Sequence, residues 1–328
     1  MVMDRRSFIG ICAAEGVCAS LGASAKTAKV VRRIGVLLPD APQPPADIQV
    51  EYDALRALGW LVGQNLLVER RYANGRAELL LPLAEELVRL KVEIIVAVGT
   101  AAALAARNAT TTIPIVIGVA GDPVRTGLVA SLARPGGNIT GTSNVTAELD
   151  SKRLSMLREL LPSLKRLGVL ENSTNPYFRA TRKELEQTCQ SLGLQPIIVE
   201  VAAASELESA LAELTRRRAQ ALFVRGDDLF LDARVALMSA SLSHALPTLA
   251  VGRAMLEAGA LLSYDSTEEE LFQRYAAFVD KILRGAKPAD LPIEQPTKFE
   301  LSINLKAARA LGITVPQSLL LSADELIR

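Results

Sequence analysis

From Arg33 onward the sequence alternates short apolar runs with longer segments of helical period, and few folds accept that alternation. A strand that pairs in parallel with a later strand needs a crossover of about a dozen residues, usually a helix, so the pattern reads as parallel sheet wrapped by helices. Strands are predicted over 34–38, 65–72, 93–98 and 114–117, with helices over 48–58, 78–90 and 101–108 between them. The adjacent Pro and Gly of Arg134-Pro135-Gly136-Gly137-Asn138 then impose a turn, and the series resumes after 139–142. The second set has helices over 149–160, 177–192, 206–218 and 230–241, and strands over 166–170, 196–199, 221–224, 248–251 and 260–263. An amphipathic helix over 268–283 and a Pro-rich stretch over 287–296 follow, the latter reading as a connection back across the molecule. The chain has 328 residues, 49% of them hydrophobic, a size at which one core tends to split in two. The expected fold is therefore α/β, with two doubly wound parallel-sheet lobes joined near 139–145, crossed more than once, and a ligand cleft between them.

The first 25 residues read as a targeting segment. Asp4-Arg5-Arg6-Ser7-Phe8-Ile9 has a twin-arginine pattern, an apolar small-residue stretch runs to Gly22, and Ala23-Ser24-Ala25 supplies an A-x-A cleavage site. Export to the periplasm is expected. Cleavage there removes Cys12 and Cys18 and leaves Cys189 with no intramolecular disulfide to form. Neither Cys12 nor Cys18 has the small-residue approach of a lipid-attachment site, and no other stretch reaches the roughly 18 apolar residues that span a bilayer. Lys+Arg 37 against Asp+Glu 36 leaves a net charge of +1, which disfavours nucleic acid as a partner. With three cysteines and the single His244, most metal sites and Cys/His catalytic arrangements lack their ligands, and no metal or cofactor is expected.

Ligands of open α/β sheets bind beyond the C-terminal strand ends, so the loops there hold the candidate site residues. Asp40 follows the first strand. Gly99, Thr100 and Ala101 follow the third, where free N–H groups at a helix start suit a carboxylate; a plain N-cap by Thr100 fits the same residues equally well. Gly121 and Asp122 follow the fourth strand, and Asp122 reads as a ligand for an ammonium or, more simply, as the cap of a helix opening at Pro123. Asn144 lies at the inter-lobe crossing; Asn172, Asn175, Gly226, Asp227 and Tyr264 follow strands of the second set. Asn, Asp and Gly are also ordinary turn residues, so each position alone carries little and the set carries more. His244 and the lone Trp60 read as surface and packing residues.

GxGxxG after a strand, GxxxxGK[ST] and GxSxG are all absent, which removes the dinucleotide, P-loop and hydrolase readings. Several stretches together resemble the ABC transporter substrate-binding proteins that include the tryptophan and tyrosine binding components, within the type 1 periplasmic-binding-protein fold. They are Gly63-Gln64-Asn65, Val98-Gly99-Thr100, Ile113-Pro114-Ile115-Val116, Asp122-Pro123-Val124, Leu132-Ala133-Arg134-Pro135-Gly136-Gly137-Asn138-Ile139-Thr140-Gly141, and Gln295-Pro296-Thr297-Lys298-Phe299-Glu300-Leu301. The resemblance implies a Venus-flytrap protein with three interdomain crossings, residues 30–141 with about 266–293 forming one lobe and 142–265 with about 294–328 the other. It also implies Gly99, Thr100, Asp122, Asn144 and Asp227 at ligand-contacting loops, an inner-membrane permease as partner, and a monomer. Glu171 and Asp265 depart from the family's pattern near the expected cleft, so an aromatic amino acid is not assumed. Two other readings share a two-lobed core. A sugar-family transcription regulator needs a DNA-binding helix-turn-helix that residues 1–32 are too short to hold, and a two-lobed enzyme needs paired acid and base groups facing a substrate.

Overall fold

The computed structural model describes residues 31–42, 45–144 and 146–328, so the expected targeting segment, with Cys12 and Cys18, lies outside the described residues. The first sheet is built from β1 (Arg32–Leu38), α1 (Pro45–Ala57), β2 (Leu66–Tyr72), α2 (Leu80–Arg89), β3 (Ile94–Val98), α3 (Gly99–Ala109), β4 (Ile115–Ala120) and β5 (Ile139–Ser143). The second takes α4 (Thr146–Leu160), β6 (Arg166–Asn172), α5 (Pro176–Ser191), β7 (Gln195–Val201), α6 (Leu207–Arg216), β8 (Ala221–Val224), α7 (Asp228–Asp232), α8 (Arg234–Ser243), β9 (Thr248–Ala250), α9 (Arg253–Ala258) and β10 (Leu262–Asp265). After α10 (Glu268–Leu283) come β11 (Glu300–Asn304), α11 (Leu305–Ala310), α12 (Gln317–Ser322) and β12 (Glu325–Ile327).

The five-stranded sheet runs β2-β1-β3-β4-β5, all parallel. The seven-stranded sheet runs β12-β11-β10-β9-β8-β6-β7 and is parallel from β7 to β10. Both contain the same doubly wound order, in which the chain reverses direction between the first and third strands of the unit. Antiparallel β11 and its parallel neighbour β12 extend the second sheet. Strand interiors are apolar on both faces because helices cover both sides: Ile94, Ile95, Val96 and Ala97 of β3 are all buried. Gly35 of β1 lets α2 close in, since a Cβ there would stand 2.8 Å from the Leu87 side chain.

Thr267 caps α10 by accepting from the Glu270 amide, three residues on, in a capping-box spacing. The helix buries Tyr275, Ala276, Phe278 and Val279 against Ile34, Val36, Ile94 and Val96, so it belongs to the core of the first sheet although it follows β10 of the second. The chain thus passes between the sheets three times, after β5, after β10 and before β11. Two passages touch: Thr142 pairs with Glu294, with Ser143 donating to the Glu294 carbonyl at 2.9 Å and Glu294 donating to that of Gly141 at 2.9 Å.

Four expectations need correction. Residues 139–143 form a fifth strand of the first sheet, completing it beyond the four expected, because parallel pairing with β4 gives their amides partners. The helix expected over 230–241 breaks at Ala233 into α7 and α8. A short helix, α9, lies between β9 and β10, and the C-terminal β11, α11, α12 and β12 were not foreseen. These pieces hold three to six residues each, too short for a period to register.

Gly141 sits at the first passage with φ +132°, and a Cβ there would lie 2.3 Å from the Ile117 carbonyl oxygen. Gly136 also has positive φ, +73°, but open space around it. Gly141→Ala is expected to cost about 3 kcal/mol or more, and Gly136→Ala about 1 kcal/mol, the backbone strain alone. Denaturant unfolding of the two variants checks the ordering.

Candidate functional site

The reversal points of the two doubly wound units lie between β1 and β3 and between β6 and β8. Asp40 leaves β1, Gly99 to Ala101 leave β3, Asn172 to Asn175 leave β6 and Gly226 to Asp228 leave β8, so the candidate residues flank the two switch points. Loops of the two sheets meet there. The Ala41 amide donates to Asp232 Oδ2 at 3.4 Å, a Cβ on Gly99 would stand 3.1 Å from Asp228 Oδ2, and one on Gly121 would stand 2.2 Å from the Tyr177 ring. Arg125, in the turn after β4, pairs with Glu184 of α5 at 2.5 Å and with Asp122 at 3.1 Å. A small cavity of about 20 Å³ beneath these contacts is lined by Asp122, Arg125, Asp150, Tyr177, Thr181 and Arg225, among others.

Thr100 is buried and does not cap α3, whose N-cap is Val98 without a side-chain bond. Its hydroxyl accepts from the Gly121 amide at 3.2 Å and so ties together the loops after β3 and β4. Ala101 follows it, partly buried against the core of the first sheet. Asp122 accepts from the amides of Val124 and Arg125 at 3.1 and 3.0 Å, but what begins at Pro123 is a turn and no helix. Asn144 donates its amide to the Ala120 carbonyl at 2.9 Å.

Asp227 accepts from Asn172 Nδ2 at 2.8 Å, Asn175 Nδ2 at 2.7 Å and the Leu229 amide at 3.0 Å, capping α7. Asn175 in turn caps α5 ahead of Pro176. Three of the predicted residues therefore converge, chiefly on one another. Gly226 is exposed, within 3.2 Å of Val251 by its Cβ position. Tyr264 is 7% exposed and stacks with Phe299 at 5.7 Å within the core, its hydroxyl accepting from Lys152 Nζ at 2.6 Å.

Below the cleft the second sheet carries an internal ion network that the sequence reading missed. Arg225, 3% exposed, meets Asp150 at 3.1 Å, Glu171 at 3.4 Å, the Tyr177 hydroxyl at 2.9 Å and Thr181 at 3.0 Å. Arg153 joins Asp150 to Asp265, each at 3.1 Å, and donates to the Tyr264 carbonyl at 2.7 Å. Glu171 and Asp265, the two departures expected near the cleft, are thus countercharges of buried arginines, and Glu171 is fully buried. The signal for Arg225 was available: a cation directly after the apolar run Ala221–Val224 needs a partner wherever that strand is buried.

A second set of carboxylates has no such compensation. Asp40 is 6% exposed and its Oδ1 has no hydrogen-bond partner. Burial, with Asp232 and Asp227 nearby, pushes Asp40 up to about 7. Burial and the same neighbours together with Asp40 hold Asp228 well above the usual carboxylate range. Asp232 was also missed, whereas Asp228 belongs to the Gly226-Asp227-Asp228 loop expected to bring carboxylates to the cleft edge. Among the described residues no group of three or more His, Cys, Asp or Glu is arranged to hold a metal ion, and burial pushes the Cys189 thiol up to about 12.

Comparison with known proteins decides the family. The sequence profile of the ABC transporter substrate binding protein family matches residues 48–327. The chain belongs to that family. It is similar to a tyrosine-binding protein from Clostridioides difficile (strain R20291), 27% identical over 260 residues that make up 79% of this chain and 74% of the relative. It is also similar to the structure of an ABC domain in complex with L-Trp from Streptococcus pneumoniae, with TM-score 0.83, 25% identity and coverage of 90% of this chain and 100% of that one. The ligand-free, open structure of a substrate-binding protein with adhesive properties from Clostridium difficile matches with TM-score 0.63, 25% identity and coverage of 90% and 99%. The fold is the two-lobed type 1 periplasmic-binding-protein fold, as the family resemblance implied.

The unfolded chain releases the Asp40 proton near pH 4, while the folded protein holds it to about pH 7. The folded state therefore binds more protons in that window, and stability falls as pH rises from about 4 to about 7. Asp40→Asn is expected to flatten this dependence and to raise stability above pH 7 by on the order of 2 kcal/mol. Arg225→Leu, which strands Asp150 and Glu171, is expected to cost about 3–5 kcal/mol. Melting curves from pH 4 to 9 test both.

Proposed function

We propose that the chain is the extracytoplasmic solute-binding component of an ABC importer, closing its two lobes on an amino acid or related small carboxylate and then docking as a monomer on an inner-membrane permease. The observation that carries this reading is a pair of comparisons at equal identity: TM-score 0.83 with the L-Trp complex against 0.63 with the ligand-free, open relative. Sequence similarity and coverage of this chain are the same in both, so the difference supports a lobe arrangement of the ligand-holding kind. The contacts of Arg125 with Glu184 and of Gly121 with Tyr177 are what such an arrangement requires.

In this reading the first lobe comprises residues 30–141 with about 266–293, and the second comprises 142–265 with about 294–328. The adjoining passages at Thr142 and Glu294 act as hinge strands. Ligand meets one lobe first; contacts from the other shift the open–closed equilibrium by the difference in affinity between the two states. Cleft carboxylates take the ligand's ammonium, and the N–H groups at the α3 N-terminus offer partners for an anionic group. Residues 1–25 serve as the export signal.

Thermal unfolding against amino acids, small carboxylates, nucleosides and sugars tests the function. One chemical class is expected to raise the midpoint saturably, by about 2.7 kcal/mol of stability at a hundredfold excess over Kd. Gly121→Val, which sets a side chain into the Tyr177 ring on closure, is expected to weaken binding about tenfold or more while leaving the ligand-free midpoint in place. Turnover of a panel compound with no shift for any class points instead to an enzyme.

A further inference from the structure

We propose that the cleft selects a solute of net positive charge, an aliphatic ammonium or guanidinium compound, whose cationic group is shared between Asp40 of the first lobe and Asp228 of the second. The inference rests on the solute-binding reading above and names the solute class.

Of the four carboxylates that gather where the loops after β1 and β8 meet, two have partners within the protein. Asp227 accepts three N–H donors, and Asp232 accepts from the Ala41 amide and feels Arg234. Asp40 and Asp228 accept none among the described residues, and Asp40 Oδ1 is buried without a partner. An ionised carboxylate out of water without a counterion is costly, so the arrangement asks for a cation or a proton. Without either, like charges face each other across the cleft and oppose closure. A bound cation removes that repulsion and rewards closure in the same step.

A solute without net positive charge fits less well. At the N-terminal end of α3, where a ligand carboxylate would find N–H groups, Asp228 Oδ2 already lies 3.1 Å from the Cβ position of Gly99, so a carboxylate without an accompanying cation meets repulsion there. Nor do neighbouring arginines help: Arg225 and Arg153 are spent on Asp150, Glu171 and Asp265, and Arg234 acts on Asp232 and donates to the Leu231 carbonyl at 2.9 Å. The carboxylates are not arranged as a metal site, whereas an ammonium with three donors or a guanidinium with five can bridge two separate carboxylates.

Isothermal titration calorimetry with the full chain tests this through matched pairs: lysine against norleucine, arginine against citrulline, putrescine against 1,4-butanediol, with glutarate as the anion. At least one cationic member is expected to bind about tenfold or more tighter than its neutral counterpart. Asp40→Asn and Asp228→Asn are each expected to remove about tenfold or more of that affinity, while both variants melt no lower than the parent protein. Equal binding of a neutral member, or binding of glutarate, sinks the charge selection and leaves the solute-binding reading standing. Cation binding that survives both substitutions assigns the cation elsewhere and overturns the proposal. Failure of all three cations to bind does so too, as does a response to Mg²⁺ or Ca²⁺ alone that Asp40→Asn abolishes.

Discussion

Parallel pairing of β1 to β5 and of β6 to β10 is the constraint on which the rest of the molecule depends. A parallel strand returns to the sheet only through a crossover, so the helices must cover both faces and the strand interiors must be apolar throughout. The same geometry sends every C-terminal strand end of a unit to one edge. Polar residues that no strand can accommodate collect there in the loops, and in this chain they are Asp40, Thr100, Asp122, Asn172, Asn175, Asp227 and Asp228. A binding cleft follows from the topology before any particular side chain is considered.

Two electrostatic regimes lie within a few residues of each other. Beneath the second lobe's edge, Arg225 and Arg153 are matched against Asp150, Glu171 and Asp265, with hydroxyls and a backbone carbonyl completing the set. Such a network adds little stability over a packed apolar core, but losing one member is expensive because the others remain buried and charged. It holds the Tyr177 ring in place: Arg225 lies 5.0 Å over it while bonding its hydroxyl. Tyr177 is the face against which Gly121 of the other lobe rests, so the ion network sets the shape of the surface that meets the first lobe. At the opposite end of the cleft, Asp40 and Asp228 lack any such match. The matched charges tie β6, β8, β10, α4 and α5 together, whereas the unmatched pair is what the proposed cationic solute would answer.

The proposed hinge adds a mechanical side to the same economy of contacts. Only short stretches of backbone join the lobes, and two of them run side by side at Thr142 and Glu294, next to Gly141, whose lack of a side chain lets it pack on the Ile117 backbone of β4. Glu294 is held from the first lobe by Arg274 at 3.0 Å, which also binds Glu270 at the start of α10. In the closure proposed here, motion would be confined to a few backbone torsions flanked by firmly packed elements.

Much of this was legible in the amino-acid order. Continuous apolar runs such as Ile94–Val98 and the 3.6-residue period of 268–283 report burial directly, and the turn residues between them mark where chains reverse, so the α/β class, the two units and the loops that carry the site follow from the sequence. The small C-terminal elements escaped because β11 owes its strand character to pairing with β10, some forty residues earlier, and β12 owes its own to pairing with β11. The site was legible as a set of loops but not as a set of roles. Asp122, Asp227 and Asp228 are the same side chain in the same kind of loop; one caps a turn and pairs with Arg125, one is consumed by Asn172 and Asn175, and one has no partner. Sequence determines which groups are present and which edge they occupy, since periodicity and turn chemistry are local. Only the tertiary structure decides which charges are answered, because that depends on distances of a few ångströms between residues far apart in the chain.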